Sequence, residues 1–220
     1  LTPAIDDDGR ERAPARAATS TVAPAAPAVT PVEDGERKSI AVLPFVNMSG
    51  DAENEYFSDG IAEEILNLLV KLPQLKVASR TSSFIFKGKE ANIPTVAAEL
   101  GVNTVLEGSV RRAGDRVRIT AQLIEAKSDS HLWSETYDRQ LTDIFAIQDE
   151  ISKAIVAALK VKLLPAEKAA IEQRSTTNSG AYELFLMARG FQRKGSERLK
   201  PVIVRICRRV VELDPGFAKG

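Results

Sequence analysis

The sequence predicts an α/β fold in which a mixed sheet with an antiparallel meander is packed by helices and is followed by a helical hairpin. Three observations lead to this prediction. Residues 40–45 form an unbroken apolar run, which is typical of a strand buried on both faces. Residues 104–139 contain three strand-like segments joined by short turns. Apolar residues recur at helical spacing on both sides of these strands and again near the chain end.

The first element is the strand at residues 40–45, which we expect at the centre of the sheet. A polar loop with a glycine follows, and Asp59 is predicted to cap the next helix. The apolar residues of that helix fall on one face at a period of 3.6 residues, and Pro73 is expected to end it. They are Ile61, Ile65, Leu68, Leu69 and Leu72.

A second strand and a short helix are expected between the first helix and the meander. Residues 75–80 alternate between apolar and polar side chains, which indicates a strand. Residues 81–89 favour no particular element. Residues 94–100 are predicted to form a helix, with Pro94 in its first turn and Gly101 just beyond its end.

The meander is predicted as strands at residues 104–112, 115–125 and 130–139, with glycine or aspartate in the turns between them. The middle strand alternates between apolar and polar residues, so one face of the sheet should be buried and the other wet. Its apolar members are Val117, Ile119, Ala121 and Leu123. A helix follows whose apolar face should cover the sheet and which we expect to continue to Pro165. That face carries Ile144, Ile147, Ile151, Ile155 and Leu159.

The domain organisation predicted after the sheet domain (residues 39–164) is a linker at 165–180 and a helical hairpin at 181–220. The hairpin contains helical patterns at 181–190 and 201–213, and it resembles part of a tetratricopeptide repeat, a helix–turn–helix unit of about 34 residues. A proline and a run of β-branched residues at the start of its second helix depart from that pattern. Because one repeat cannot bury its own apolar face, we expect the hairpin to pack on the sheet domain or on a missing neighbour.

Residues 1–38 are predicted to be a disordered tether rich in proline and alanine. Its scattered prolines oppose both helix and strand, and this composition favours an extended, semi-stiff spacer. No apolar run in the chain is long enough to span a membrane. Because the sequence begins at Leu1, we expect it to be a segment of a larger protein, and a membrane span could precede it.

The charge balance argues against nucleic acid as a partner. Thirty Lys and Arg residues offset thirty Asp and Glu residues, giving a formal net charge of +0. Four arginines surround the first turn of the meander, but no aromatic residue lies between them to stack on bases. We interpret them as a solvated hairpin end or as a rim that pairs with an acidic partner. They are Arg111, Arg112, Arg116 and Arg118.

The loop at residues 47–59 has the strand–glycine–helix order of many phosphate sites, yet it does not fit a phosphate. Gly50 is not followed by the Gly, Lys and hydroxyl residue of a P-loop, and the acidic residues of the loop would repel an anion. A calcium loop also fails, because Tyr56 stands where the sharp turn needs glycine and Ala62 where a bidentate Glu is needed. We therefore predict no cofactor and no metal ion.

No catalytic residue is predicted. His131 is the only histidine, and no motif surrounds it, so we interpret its strand as an amphipathic face. That face carries His131, Trp133, Glu135 and Tyr137. Cys207, the only cysteine, lies in an apolar helical run and is expected in the core. Glu63 and Glu64 are adjacent on a helix and point in different directions, so they do not form a catalytic pair.

Four motifs in order carry a family resemblance: SIAVLPFVNMSGD (39–51), YFSDGIAEEI (56–65), VLEGSVRR (105–112) and LWSETYDR (132–139). Together they resemble the TolB amino-terminal-like domain of bacterial multidomain proteins, where tetratricopeptide repeats follow it. The resemblance covers about residues 38–164. It implies an α/β domain without catalytic residues, which in relatives follows a winged-helix DNA-binding domain or an adenylate/guanylate cyclase domain, often with a membrane span between them.

The resemblance also implies that the motif residues of the opening loop shape the loop and cap the helix. These residues are Asn47, Ser49, Gly50, Tyr56, Phe57, Ser58, Asp59 and Gly60. We therefore expect the loop to provide a contact surface and not a reaction centre.

The predicted function is a non-catalytic sensory or scaffolding module that binds a protein or peptide partner and couples to an upstream regulator or cyclase domain. The alternatives are a small-molecule receptor, with its ligand between the sheet and the loop at 47–59, or a segment of an adenylate/guanylate cyclase polypeptide. We expect a periplasmic location as part of an inner-membrane protein, with the cytoplasm as the alternative. The candidate partner-binding residues are Asn47, Ser49, Asp51, Tyr56, Phe57, Arg111, Arg112, Trp133 and Tyr137.

Overall fold

The structure, a computed structural model, describes residues 38–51, 54–172 and 176–217. In this part of the chain, one mixed sheet of six strands is packed by seven α-helices, which confirms the predicted fold class. The predicted tether lies outside the described residues, except for Lys38. The elements are β1 (Ser39–Val42), β2 (Val46–Asn47), α1 (Glu55–Val70), β3 (Lys76–Val77), α2 (Arg80–Ser83), α3 (Ile93–Leu100), β4 (Thr104–Ala113), β5 (Arg116–Glu125), β6 (Ser130–Gln140), α4 (Ile144–Ala158), α5 (Pro165–Glu172), α6 (Ser179–Arg193) and α7 (Lys200–Leu213).

The sheet has the strand order β3-β1-β4-β5-β6, and β2 pairs with β4 beyond the end of β1. β1 runs parallel to both β3 and β4. β4, β5 and β6 form the antiparallel meander that the sequence predicts. The strands of the motif at residues 39–51, β1 and β2, therefore pair in parallel, whereas the long strands β4, β5 and β6 pair with one another in antiparallel fashion.

The first strand is interrupted, although the sequence predicts one strand at residues 40–45. Pro44 lacks the N–H group that a strand ladder uses, and β1 ends two residues before it. Phe45 turns into the core, where its ring packs against Gly108 of β4. Pairing resumes at β2, and Met48 N then donates a hydrogen bond to Val110 O at 2.8 Å. The loop after β2 is thereby held alongside β4.

The main core lies between one face of the sheet and helices α1 and α4. The alternating apolar residues of β5 are fully buried in it, as predicted. The apolar stripe of α1 is buried too, including Ile61, Ile65 and Leu69. On the opposite face, a small cluster of Ala97, Val105 and Ala126 holds α3. Helices α1 and α4 therefore cover one face of the sheet, and α3 covers part of the other.

Helix α1 begins one turn earlier than predicted, with Asn54 in the N-cap position and no side-chain hydrogen bond from it. The prediction that Asp59 caps this helix is therefore wrong. Asp59 lies inside the helix, where its carboxylate accepts hydrogen bonds from Lys87 Nζ at 2.7 and 2.6 Å. The earlier start follows from Tyr56 and Phe57, because both aromatic side chains pack against the core and this burial offsets the weak cap.

The segment between α1 and the meander is mostly helical. The predicted second strand is reduced to β3, a two-residue strand at the edge of the sheet. It is followed at once by α2, because Ser79 Oγ accepts a hydrogen bond from Ser82 N at 3.1 Å as an N-cap. A 3-10 turn follows at Phe84–Phe86. Helix α3 agrees with the prediction: Asn92 caps it, and Gly101 ends it with a positive φ of 61°.

The chain after α4 differs from the prediction in two ways. Helix α4 ends at Ala158, before the expected stop at Pro165, and Lys160 takes a positive φ of 52° in the turn that follows. The segment expected to be a linker contains α5, which packs on the rest of the chain. Ile171 is buried, and Gln74 Nε2 donates to Glu167 Oε1 at 2.8 Å.

Helices α6 and α7 form the predicted hairpin. Asn178 Oδ1 caps α6 by accepting from Ala181 N at 3.0 Å, and Asn178 Nδ2 donates to Leu213 O at 3.1 Å, so one side chain joins the start of α6 to the end of α7. The hairpin packs on the sheet domain, because residues of both share one core. Its members in that core include Ala181, Tyr182, Phe185, Leu186, Val210 and Phe217. Cys207, expected in the core, is only half-buried.

Replacing Asn178 with alanine should lower the free energy of unfolding by about 1–2 kcal/mol, because both the cap and the bond to Leu213 are lost. Asn178→Ser keeps an oxygen for Ala181 N but cannot donate to Leu213 O, so its loss should be smaller. Urea unfolding followed by circular dichroism measures both variants. A greater loss for the serine variant would contradict this role.

Candidate functional site

The candidate residues of the opening loop come together beside the end of β4. Asn47 Nδ2 donates to Asp51 O, and Asn47 Oδ1 accepts from Ser49 N, both at 2.9 Å. The Ser49 hydroxyl oxygen accepts a hydrogen bond from Arg112 N at 3.0 Å. Asn47 therefore gives the loop its local turn, and Ser49 attaches that turn to the sheet.

A second polar contact connects this corner to α6. Arg112 Nη1 pairs with Glu183 Oε1, and the Tyr56 hydroxyl donates to the same oxygen at 3.4 Å. The Arg112 guanidinium also lies 5.6 Å from the centre of the Phe57 ring, within cation–π distance. Two candidate partner-binding residues, Tyr56 and Arg112, thus contact a helix of their own chain.

The other candidate residues are either separate from this corner or buried beneath it. Arg111 is exposed on the other face of β4, because successive side chains of a strand alternate. Trp133 is half-buried on β6. Phe57 is fully buried, and Tyr137 is 4% exposed with its hydroxyl 3.2 Å from Glu135 Oε2. The side chains of Phe57 and Tyr137 therefore belong to the core and not to an exposed surface.

The arginines at the end of the meander pair within the sheet. Asp138 of β6 contacts Arg116 at 2.7 Å and Arg118 at 2.5 Å. The hydrogen bonds from Arg116 and then Arg118 hold the pKa of the Asp138 carboxyl below its usual value. The basic hairpin end is thus partly neutralised by its own neighbouring strand.

Two glycines allow α1 and α6 to approach closely. A Cβ at Gly60 of α1 would lie 2.7 Å from the methyl groups of Leu186. A Cβ at Gly190 of α6 would lie 2.6 Å from Tyr56 Cβ. Gly60 was expected to shape the loop, but it lies within α1 and provides room for α6. We call this contact between the two helices the α1–α6 junction.

A buried ion cluster completes the α1–α6 junction. The Glu63 side chain is 5% exposed, and three arginines contact its carboxylate: Arg80 Nε of α2 at 2.9 Å, and Arg189 and Arg193 of α6. Burial lowers the pKa of the Arg80 and Arg193 guanidiniums. The Glu63 carboxylate is buried, so removing its arginine partners would leave an uncompensated buried charge, which costs about 3–5 kcal/mol.

Two features of the sequence indicate a buried ion cluster, although they do not identify which residues pair. Glu63 is a carboxylate within an apolar helical stretch, and Arg189 and Arg193 are four residues apart, so they share one face of α6. A buried acid requires a partner. Nothing in the spacing identifies that partner, which lies 126 to 130 residues further along the chain.

The residues that the structure describes contain neither a clustered set of metal ligands nor a membrane-spanning helix. Across residues 38–51, 54–172 and 176–217, no group of three or more His, Cys, Asp or Glu side chains is arranged to hold a metal ion. Over the same residues, no helix has both the length and the apolar character needed to cross a membrane.

The fold and the site define an α/β domain joined to a helical hairpin through a buried polar and apolar contact. Residues 36–154, more than half of the chain, match the family described as HilA/YgeH-like transcriptional regulator, second domain. The chain belongs to this family.

One curated relative and several solved structures are similar to the chain. A protein named Putative adenylate cyclase 3, from Rhizobium meliloti (strain 1021), is 49% identical over 182 residues; the match covers 83% of this chain and 31% of the relative. The chain thus spans about a third of that relative. TolB from Acinetobacter baumannii has a TM-score of 0.42 and 19% identity, over 56% of this chain and 28% of TolB. The LpoB C-terminal domain from Salmonella enterica has a TM-score of 0.39 and 16% identity, over 47% of this chain and 83% of that domain.

The pKa values of all three tyrosines of the chain are raised, so the folded protein should ionise its tyrosines at a higher pH than an ordinary protein does. Burial, followed by the Glu183 carboxylate, raises the pKa of Tyr56 to about 12. Burial raises the pKa of Tyr137 and Tyr182 as well. The folded protein should therefore show little phenolate absorbance near pH 10, where an ordinary tyrosine ionises.

The unfolded chain ionises its tyrosines near pH 10, so it loses protons before the folded chain does. Stability should consequently fall as the pH rises above about 10. Glu183→Gln should lower the pKa of Tyr56 only, because Glu183 does not contact the other two phenols. An ultraviolet titration of folded protein that shows ordinary tyrosine ionisation would contradict this description of the site.

Gly190→Ala should destabilise the α1–α6 junction, although alanine favours a helix. The added Cβ would lie 2.6 Å from Tyr56 Cβ. Separating the helices should cost about 1–3 kcal/mol, which exceeds the gain of about 1 kcal/mol from helix propensity. Gly180→Ala is the matched control, because position 180 is exposed on the same helix and its added Cβ would have no contact closer than 3.4 Å. Urea unfolding of both variants tests this, and equal stabilities would disprove it.

Proposed function

We propose that the chain is a non-catalytic sensory or scaffolding module that binds a protein partner and couples to an output domain elsewhere in a bacterial signalling protein. That output domain is a DNA-binding regulator or a nucleotide cyclase. No reaction is proposed for the chain itself.

The two contacts of Arg112 are the observation that best supports coupling. Arg112 holds the loop through its backbone N–H group, which donates to Ser49, and holds α6 through its guanidinium, which pairs with Glu183. One residue therefore contacts both the candidate surface and the helical hairpin. A partner that displaces the loop would act on α6 through Arg112.

An exposed surface for a partner lies next to this residue. Val46 is 63% exposed and Met48 is 51% exposed, and Asp51 is exposed as well. Large apolar side chains beside a charged rim are typical of protein contacts. We propose that the partner binds the surface formed by residues 46–51.

The comparisons favour a role within a larger polypeptide. The family is described as the second domain of a transcriptional regulator, and the relative's name is that of a cyclase of which the match covers 31%. Both descriptions favour an arrangement in which the output activity resides in another domain. We also propose that α6 and α7 form a unit of the tetratricopeptide type, since they are two helices joined by a short turn.

We further propose a periplasmic location for this module, on the basis of the family resemblance, with the cytoplasm as the alternative. Alkaline phosphatase fused to the parent protein after this module distinguishes the two, since the enzyme becomes active only outside the cytoplasm.

A photo-crosslinking amino acid at Met48 should give a discrete protein adduct in cells that produce the parent polypeptide, because the exposed side chain lies on the proposed contact surface. The same substitution at Lys127, exposed in the turn between β5 and β6, is the control and should give none. Adducts are detected by electrophoresis and identified by mass spectrometry.

Two results would contradict the proposal. Failure to form an adduct at both Met48 and Asp51 would argue against a partner at this surface. Turnover of ATP or GTP by the purified chain would argue against a non-catalytic module.

A further inference from the structure

A cavity of about 370 Å³ lies on the face of the sheet opposite the main core. Its floor is formed by β4 and β5, and its sides are formed by α3, by the segment at residues 86–91 and by Leu43, Pro44 and Val46. No residue from 47 to 59 lines it, so it is distinct from the ligand site that the sequence suggested at the opening loop. Cavities of this size are at the lower end of the range for small-molecule sites.

The floor of the cavity is polar. Glu107 lies directly opposite Gln122 on the neighbouring strand, and Ser109 lies opposite Thr120. In an antiparallel pair of strands, the Cβ atoms of two directly opposed residues lie about 5 Å apart. The four side chains therefore form a compact polar patch on the floor.

Glu107 is half-buried and has no ion pair or hydrogen bond from its carboxylate to any residue that the structure describes. The Gln122 amide is half-buried and likewise has no partner in the described chain. A half-buried carboxylate loses part of its hydration, and a ligand that donates hydrogen bonds would restore it. The floor is thus suited to a positively charged donor such as an ammonium group.

The sides of the cavity combine apolar surface with two lysine side chains. Leu43, Phe86, Ile93 and Val96 provide the apolar surface. Lys87 also lines the cavity, but its ammonium group is paired with Asp59 at 2.6 Å and Glu55 at 2.7 Å. Lys89 is exposed at the same cavity, and its ammonium group has no ion pair in the described chain.

The charge of the cavity floor disfavours phosphorylated ligands. A volume of about 370 Å³ has room for an amino acid or a dipeptide. The Glu107 carboxylate on the floor would repel a phosphate.

We propose that this cavity binds a free amino acid with an apolar side chain. Its ammonium group donates to the Glu107 carboxylate and the Gln122 amide oxygen. Its carboxylate pairs with Lys89, and its side chain packs against the apolar sides. Val46 belongs to the partner surface at residues 46–51 and also lines the cavity, but the two proposals are tested by different measurements, so either can fail without the other.

The test is calorimetric titration of the purified chain with L-leucine, leucinamide and 4-methylpentanoate. Leucinamide lacks the carboxylate and 4-methylpentanoate lacks the ammonium group. We expect leucine to bind and each analogue to bind about tenfold more weakly or worse, because each loses one charged hydrogen bond. Nuclear magnetic resonance shifts on titration should be concentrated at Gly108, Ser109 and Lys89.

Two variants test which residue of the cavity binds each charged group of leucine. Glu107→Gln should abolish the advantage of leucine over 4-methylpentanoate, and Lys89→Gln should abolish its advantage over leucinamide. Glu90→Gln and Lys76→Gln are the matched controls, because both residues are exposed and neither lines the cavity. Both controls should bind leucine as the original chain does.

Each other outcome overturns the proposal. Equal binding of leucine and leucinamide would indicate a simple amine site, and equal binding of leucine and 4-methylpentanoate would exclude the role of Glu107. Absence of binding by leucine and by the larger L-phenylalanine would exclude an apolar amino acid altogether. Unfolding curves of the variants confirm that any loss is one of binding and not of folding.

Discussion

A buried carboxylate is the central polar contact between the sheet domain and the helical hairpin. Glu63 lies in the middle of α1, and three guanidiniums converge on it from α2 and α6. Without them the carboxylate would be desolvated with no compensation, which is among the costliest defects a core can contain. With them, α6 has one favourable position on α1, and the sheet and the hairpin share a core.

Small residues give this ionic contact its geometry. Gly60 and Gly190 let the two helices approach until Leu186 and Tyr56 fill the spaces that side chains would otherwise occupy. Tyr56 and Gly60 belong to one sequence motif, YFSDGIAEEI, which also contains Glu63. The glycine, the tyrosine and the glutamate of that motif therefore serve contact with α6 and not ligand binding at the loop.

Much of the fold follows from local sequence patterns. The meander was predictable because β5 alternates strictly, and α3 because Pro94 in its first turn and Gly101 beyond its end mark its limits. The start of α1 could not be predicted from the neighbouring sequence, because Tyr56 is stabilised in the helix by its contact with α6, which is distant in sequence. The break at Pro44 is visible in the sequence, but the apolar run around it favours a continuous strand. The Glu63 cluster joins residues more than a hundred positions apart, for which a single sequence provides no pairing information.

The shared core has a practical consequence for dividing this polypeptide. A fragment that stops at residue 164 would retain every strand of the described sheet, yet it would leave Glu63 with Arg80 alone and expose the groove beside Gly60 to water. Such a fragment would be prone to aggregation even though its secondary structure is complete. The smallest self-sufficient piece is therefore set by the arginines of α6 and not by the edge of the sheet.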